Sequence, residues 1–160
     1  MAVYQFEKRQ LITADITEVW NFISKPANLK YITPPSFGFE IITKNIPEKI
    51  YPGMIISYNV CPLFGIKMKW VTEITHVKEN EYFVDEQRIG PYKMWHHQHK
   101  ILLVKNGVLM QDIITYKPPF GLLGILSNNL FIRKQLDDIF NFRKSAIEKR
   151  FENQQIIPSN

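Results

Sequence analysis

Side chains able to transfer protons or bind metals are concentrated in the second half of the chain. Three of the four histidines lie in the segment Trp95-His96-His97-Gln98-His99, and Asp112 and Tyr116 follow it. A histidine beside a carboxylate can act as a general base, with a tyrosine as the proton donor. The stretch from 95 to 116 holds neither serine nor cysteine. These residue types therefore favour acid–base chemistry, such as cyclisation or dehydration, over nucleophilic hydrolysis.

The dipeptide Asn106-Gly107 separates two alternating segments and is typical of a type I′ β-hairpin turn. A two-residue loop at these positions pairs Lys105 with Val108 and places His99 diagonally from Asp112. Side chains alternate along a strand, so every second residue shares a face. One continuous face is therefore predicted to carry Trp95, His97, His99, Ile101, Leu103, Met110, Asp112, Ile114 and Tyr116.

A second turn is predicted around Glu79-Asn80, where the chain reverses between two β-type segments. This turn pairs Ile74 with Asp85 and Thr72 with Gln87. The strand before the turn alternates between apolar and charged residues, which indicates one buried and one wet face. The buried face of these two strands is predicted to carry Trp70, Phe83, Asp85 and Gln87.

The predicted inner face is mostly apolar, yet it carries two histidines, two acids, a glutamine and a tyrosine. Buried polar groups cost roughly 1–3 kcal/mol each unless they are hydrogen-bonded. One interpretation is an internal network that satisfies itself, for example His99 with Asp112. The other is a polar patch that orients a ligand inside an apolar pocket. The sequence pattern leaves both interpretations open.

The spacing of His97 and His99 can also chelate a metal ion, with Asp112 as a third ligand. His96 points to the opposite face of the strand and cannot join them. A pair of histidines without a complete ligand set is a weak metal signal. We therefore expect neither a metal nor another cofactor.

The remaining patterns predict one α+β domain over residues 1–152, with a frayed tail at 153–160. Hydrophobic periodicity and the positions of proline give the order β-α-α-β-β-β-β-β-β-α. The predicted helices cover the residues between Asp15 and Pro26, 27–31 and 127–151. The predicted strands cover 4–12, 39–44, 54–60, 65–77, 82–88, 93–104 and 108–117.

The last predicted helix has an apolar stripe formed by Ile132, Leu136, Ile139, Phe140, Ile147 and Phe151. A strongly bent antiparallel sheet of about seven strands can wrap such a helix and bury its stripe on the concave face. If the helix lies across the mouth of the sheet, a cavity remains. We predict an internal cavity for a small, largely apolar molecule, with the segment 122–126 at its entrance.

The net charge of +5 and the pI near 9.3 raise the question of an anionic partner. The lysines are scattered and accompany no recognition motif, so we expect no nucleic-acid partner. The single cysteine, Cys61, excludes an internal disulfide and suits a reducing compartment. No segment approaches the roughly 18 apolar residues of a membrane span. We expect a cytoplasmic monomer or weak homodimer without integral membrane association, and transient membrane contact stays open.

Several short motifs resemble those of the START-like, birch-pollen-allergen-like superfamily (SRPBCC), whose architecture is the helix-grip fold. The resemblance spans about residues 3–151 and is strongest for a bacterial branch labelled ligand-binding or cyclase/dehydrase-like. The motifs that carry it are Val19-Trp20, Asn28-Leu29, Thr33-Pro34-Pro35, Phe83-Val84-Asp85-Glu86-Gln87, Gly90-Pro91-Tyr92, the Trp95–His99 segment and Pro119-Phe120-Gly121-Leu122-Leu123-Gly124.

The resemblance implies binding or transport of a small hydrophobic ligand, such as a lipid, an isoprenoid quinone or a polyketide-like compound. One alternative is a polyketide cyclase or dehydratase that uses His97 or His99 with Asp112 and Tyr116. A further alternative is a regulatory module that contacts other proteins through Phe120–Leu126. The predicted ligand-binding residues are Trp70, Phe83, Asp85, Gln87, Trp95, His97, His99, Asp112, Tyr116, Leu136 and Phe140.

Overall fold

Seven strands form one antiparallel sheet that curves without closing, in the spatial order β1-β7-β6-β5-β4-β3-β2. The computed structural model describes residues 2–63, 65–119 and 131–155. The predicted α+β class is confirmed. The strands are β1 Tyr4–Ile12, β2 Glu40–Ile41, β3 Met54–Leu63, β4 Ile66–Lys78, β5 Tyr82–Ile89, β6 Met94–Val104 and β7 Gly107–Lys117.

Helix α1, Ile16–Ile23, begins where a side chain replaces the missing backbone partner of its first turn. Asp15 is the N-cap, and its Oδ1 accepts a hydrogen bond of 2.8 Å from the Thr17 amide. The helix buries Val19 and Trp20 against the sheet side of the core. Two short 3-10 segments, Pro26–Tyr31 and Pro35–Phe37, carry the chain to the edge of the sheet.

The predicted strand at 39–44 is mostly wrong, because only Glu40–Ile41 pairs regularly with β3. The amides of Ile42 and Thr43 both donate to the carbonyl of Ser57, at 2.8 and 3.2 Å. Two consecutive donors on one acceptor interrupt the alternating ladder of an antiparallel pair. The segment then turns away through Asn45, which has a positive φ of 51°.

The two hairpins differ in how far their predicted register is correct. The β4–β5 pairing of Ile74 with Asp85 is confirmed. The β6–β7 register is shifted by two residues, because Leu103 and not Lys105 pairs with Val108. A shift of two preserves the faces, since side chains alternate with a period of two. As a result, His99 is directly opposite Asp112. The predicted diagonal contact between these two residues is therefore wrong.

The turn between β6 and β7 is also not the predicted type I′ turn. A type I′ turn needs positive φ at both central residues, and neither Lys105 nor Asn106 has one. Gly107 takes the positive φ, 133°, and already pairs with Val104. A Cβ on Gly107 would lie 2.2 Å from the carbonyl oxygen of Ile12 in the neighbouring strand β1. Strand β1 therefore leaves room only for glycine at this position.

The C-terminal helix, α2, covers Arg133–Gln155 and follows the irregular turn at Phe131–Ile132. The predicted start near residue 127 lies outside the described residues. Its apolar stripe is buried as predicted, apart from the half-buried Ile139. Among the described residues, no helix is both long and apolar enough to cross a membrane.

The stripe of α2 joins two apolar clusters. The N-terminal half packs with β1 and β7, around Phe6 and Ile114. The C-terminal half packs with α1 and β3–β7, where Ile147 is completely buried. Both halves of α2 therefore pack against the sheet. An internal space remains between the helix and the strands.

Candidate functional site

An internal cavity of about 140 Å³ lies between the inner face of the sheet and α2. Residues of both apolar clusters contribute to its wall, together with the first helix and the 3-10 segments. An engineered apolar cavity of about 150 Å³ holds benzene, so this volume suits one small ring. The apolar wall includes Ile23, Leu29, Phe37, Ile56, Val60, Trp70, Ile74, Phe83, Trp95, Met110, Leu136 and Phe140.

An aromatic wall continues this apolar lining at one side. Trp70 and Trp95 meet edge to face with ring centroids 5.2 Å apart, and Tyr92 packs on both rings. The Trp70 indole and the Tyr58 hydroxyl both contact Thr72 Oγ1, at 3.1 and 2.8 Å. Burial raises the pKa of the Tyr58 and Tyr92 hydroxyls, so both stay neutral. This wall provides flat apolar surface, with the Trp70 indole and the Tyr58 hydroxyl already engaged at Thr72.

The polar end of the cavity is formed by Asp85, His97, His99 and Arg143, from three different elements. Strand pairing positions the first three, because Asp85 is opposite His97 and His99 is opposite Asp112. The two imidazoles are in contact, with centroids 3.6 Å apart and ring planes tilted by 37°. The Phe83 ring stacks on His99 at 4.0 Å. The rings are therefore held in place by packing as well as by hydrogen bonds.

Each imidazole lies between two carboxylates. His97 Nε2 is 2.9 Å from Asp112 Oδ1, and His97 Nδ1 is 3.5 Å from Asp85 Oδ2. His99 Nε2 is 2.7 Å from the same Asp85 oxygen, and His99 Nδ1 is 2.9 Å from Asp112 Oδ1. The four side chains form a closed ring of contacts, which we call the His–Asp cluster.

Arg143 joins the His–Asp cluster to helix α2. Its Nη1 lies 3.4 Å from Asp112 Oδ1, and its guanidinium lies over the Phe140 ring at 4.5 Å. Only 8% of the residue is exposed. Its Nε is buried and has no hydrogen-bond partner in the part of the chain that the structure describes. A buried donor of this kind is costly, and it lines the cavity.

The two histidines differ in their affinity for a proton. Burial, together with the neighbouring His99, lowers the pKa of His97 from 6.5 to about 4. Burial also opposes charge on His99, but its contacts with Asp112 and Asp85 outweigh that cost and raise its pKa. At neutral pH His97 is therefore neutral, and His99 is the histidine of the pair that binds a proton more readily.

Both carboxylates of the cluster are ionised despite their burial. Desolvation alone would raise the pKa of Asp112, but hydrogen bonds from His97 and His99 and the charge of Arg143 lower it well below its usual range. The pKa of Asp85 is lowered in the same way, against its burial, by His99 and His97. Two buried negative charges are thus held in place by hydrogen bonds from the histidines and by the guanidinium of Arg143.

The structure places the predicted site residues in two groups. Eight of them line the cavity, namely Trp70, Phe83, Asp85, Trp95, His97, His99, Leu136 and Phe140. Asp112 lies behind the histidines and contacts the cavity lining through them and through Arg143. Gln87 instead fixes the β5–β6 connection, with hydrogen bonds to both the carbonyl and the amide of Tyr92. Tyr116 stacks on Tyr4 in the other apolar cluster.

The sequence analysis missed Arg143, although a signal was present. Positions 136, 140, 143 and 147 follow the spacing of one helix face, so an arginine at 143 interrupts an otherwise apolar stripe. A charged residue in such a stripe is rarely buried unless it is paired. Tyr58 and Tyr92 were missed because nothing in their local sequence distinguishes them from ordinary core or loop aromatics.

Comparison with known proteins relates the chain to solved structures. No protein-family profile matches the sequence, and no curated protein sequence matches it. The di-domain ARO/CYC protein StfQ from the steffimycin biosynthetic pathway is similar, with a TM-score of 0.74 and 10% identity over 97% of this chain and 53% of StfQ.

Two further structures match along nearly their whole length. A protein from Thermus thermophilus has a TM-score of 0.67 and 15% identity, over 94% of this chain and 99% of its own. Ara h 8.0201 has a TM-score of 0.60 and 12% identity, over 91% of this chain and 98% of its own. The chain shares with these structures a helix-grip-like α+β fold, a curved antiparallel sheet with a C-terminal helix. The predicted resemblance is confirmed at the level of the fold, which does not fix the function.

Proposed function

We propose that this START-like chain binds a small, largely apolar molecule in its internal cavity, with a hydrogen-bond acceptor of that molecule placed at Arg143. The observation that carries the proposal is the buried Nε of Arg143, which has no partner among the described residues and belongs to a side chain that lines an apolar cavity. A ligand oxygen at this position would satisfy the donor. The fold similarity to Ara h 8.0201 supports a ligand-binding role.

The apolar walls supply affinity and the polar end supplies orientation. Burial of apolar ligand surface contributes about 25 cal/mol per Å². The His–Asp cluster already holds two ionised carboxylates, so a neutral acceptor such as a carbonyl fits it better than a carboxylate, which would add a third negative charge. Lipids, quinones and polyketide-like compounds all contain carbonyl groups attached to apolar frames.

A matched pair of small probes tests the proposal. Acetophenone and α-methylstyrene have the same planar shape and differ in that a CH₂ group replaces the carbonyl oxygen. We expect acetophenone to bind more tightly by roughly tenfold to a hundredfold, the value of one hydrogen bond from a charged donor. A ¹H–¹⁵N NMR titration measures both affinities and reports which amides respond.

Substitution of Arg143 provides the control for this titration. Arg143→Met removes the donor and keeps an unbranched apolar side chain, so it should abolish the preference for acetophenone. Lys144→Met makes a comparable change on the exposed side of the same helix and should leave the preference intact. Equal binding of both probes to the unmodified protein contradicts the role of Arg143. Binding of neither probe to the cavity contradicts the proposal as a whole.

A cyclase or dehydratase activity is the second candidate function. The similarity to the ARO/CYC protein StfQ supports it, as does a neutral His97 that faces the cavity between two ionised carboxylates. In such a reaction His97 would take a proton from the substrate and Asp112 would stabilise the resulting imidazolium. A double substitution of His97 and His99 by glutamine discriminates the two functions. Binding kept and turnover lost supports the enzyme, whereas a loss of binding alone supports the carrier.

Three other expectations stay predictions. The segment 120–126, expected at the cavity entrance or at a protein contact, lies outside the described residues. The cytoplasmic location and the monomeric or weakly dimeric state can be checked by fractionation and by light scattering. Retention of no partner by a monomeric protein would count against the protein-interaction alternative.

A further inference from the structure

Three electron-pair donors of the His–Asp cluster converge at the polar end of the cavity. Asp85 Oδ2 lies 3.5 Å from His97 Nδ1 and 2.7 Å from His99 Nε2. Ligand atoms from these three residues all lie within 4.8 Å of one another. All three residues line the cavity.

The other nitrogen of each imidazole contacts one shared carboxylate, that of Asp112, which lies behind the two rings. His97 Nε2 and His99 Nδ1 each lie 2.9 Å from Asp112 Oδ1, which Arg143 also contacts. An ionised carboxylate only accepts hydrogen bonds, so these two nitrogens carry the hydrogens. When no second proton is bound to either ring, the lone pairs of the other two ring nitrogens face Asp85.

Lone pairs that face a carboxylate oxygen require a cation between them. A proton on His99 Nε2 serves the 2.7 Å contact with Asp85 but leaves the lone pair of His97 Nδ1 aimed at the same oxygen from 3.5 Å. A metal ion serves all three donors at once. Two imidazoles and one carboxylate are a common ligand set for divalent transition metals, and the remaining coordination positions stay open.

We propose that Asp85, His97 and His99 bind a divalent transition-metal ion, of the zinc, cobalt and iron(II) class, at the polar end of the cavity. Asp112 is the outer carboxylate that orients both imidazoles, an arrangement typical of metal-binding histidines. This assignment departs from the sequence-based expectation of no metal, in which Asp112 was the third ligand considered. The metal site shares the cavity with the proposed ligand but does not depend on it.

Zinc alone is the first probe. Calorimetric titration of ZnCl₂ into tag-free, EDTA-treated and desalted protein should show one ion bound per chain. Cobalt(II) is the second probe, because visible absorption bands report its coordination by protein ligands. We expect Asp85→Asn, His97→Ala and His99→Ala each to abolish the binding. Asp112→Asn should weaken it by about tenfold to a hundredfold, since it removes an outer partner and no ligand.

His96→Ala is the matched control, because His96 lies on the same strand, contacts a carboxylate and faces outwards. It should leave zinc affinity unchanged. Zinc affinity that drops equally in His96→Ala and His97→Ala, or that survives Asp85→Asn, overturns the proposal, as does an absence of binding. Asp85→Asn preserves shape and keeps the test valid if the alanine variants do not fold.

The experiments can refute the metal site and the proposed function independently. Acetophenone bound without any zinc binding overturns the metal site and leaves the ligand-binding proposal standing. Zinc bound with the predicted ligand dependence, but no binding of either aromatic probe, supports the metal site and contradicts ligand binding by the cavity. Circular dichroism of each variant confirms that the fold is intact before either titration is interpreted.

Discussion

The two faces of strand β6 carry the same chemistry in opposite environments. On the outer face, His96 Nδ1 lies 2.9 Å from Glu86 Oε1, and their side chains are 35% and 31% exposed. On the inner face, His97 and His99 make contacts of similar length with Asp112, yet their side chains are only 6% and 11% exposed. The two sets of pairs therefore differ in their exposure to water and not in their contact distances.

This difference teaches which pairs can carry a function. An exposed ion pair contributes about 0–1 kcal/mol, because water and salt screen it. A buried pair loses its hydration and keeps its charges only with several partners in place. The inner histidines have such partners in two carboxylates and Arg143, and they meet a cavity. The outer pair lies at the surface beside Arg88, so the inner face is the one able to enclose and orient another molecule.

Removal of Asp112 should produce the largest effect on stability. Asp112→Ala leaves the buried guanidinium of Arg143 without its carboxylate, and an uncompensated buried charge costs about 3–5 kcal/mol. Glu86→Ala is the outer-face counterpart and should change the free energy of unfolding by at most about 1 kcal/mol. Urea denaturation at neutral pH measures both. Equal losses in the two variants would contradict the contrast between the faces.

Acid should expose the next largest effect, through His97. Its pKa of about 4 in the folded protein is lower than the 6.5 of an ordinary histidine. The unfolded chain therefore binds more protons between these values, and the free energy of unfolding falls as the pH drops from 6.5 towards 4. The loss is on the order of 2–3 kcal/mol.

The groups that face His97 keep their charges in this pH window. The pKa values of Asp85 and Asp112 are lowered, that of His99 is raised, and Arg143 stays protonated. His99 instead contributes stability that is present below pH 6.5 and is lost as the pH rises through its raised pKa. Urea denaturation of EDTA-treated protein between pH 4.5 and 6.5, near the limits given by the ordinary Glu and His values, should show the slope. His97→Gln should flatten it, and an unchanged slope in that variant would exclude His97 as its source.

The smallest effect is expected on the outer face. His96→Ala should lower the free energy of unfolding by less than about 1 kcal/mol, and added salt should reduce the difference further. Thermal or urea denaturation at low and high ionic strength measures this. A loss as large as that of Asp112→Ala would mean that exposure does not separate the two faces.

The sequence predicted which residues share the inner face better than it predicted their partners. Period-two alternation places His97, His99 and Asp112 together even when the hairpin register is displaced by two residues. The displacement depends on β1, whose Ile12 carbonyl leaves room only for Gly107. A turn signal read from one hairpin contains no information about this third strand.

The alternation pattern also could not predict which residues of the inner face line the cavity. Asp112 and Tyr116 share the inner face with His97, but one lies behind the histidines and the other packs near the N-terminal half of α2. The position of the helix over the sheet decides which inner residues meet the cavity. Arg143 was within reach of the sequence, because a lone charge in an apolar stripe calls for a buried partner.

The most direct test of the ligand-binding account is the ¹H–¹⁵N resonance of Arg143 Nε during titration with acetophenone. Arg143→Lys assigns the signal by its disappearance. The account predicts that this proton resonance moves downfield as acetophenone saturates the cavity and stays in place with α-methylstyrene. A signal that does not move with acetophenone, while amides around the cavity do, would contradict the assignment of Arg143 as the group that receives the ligand.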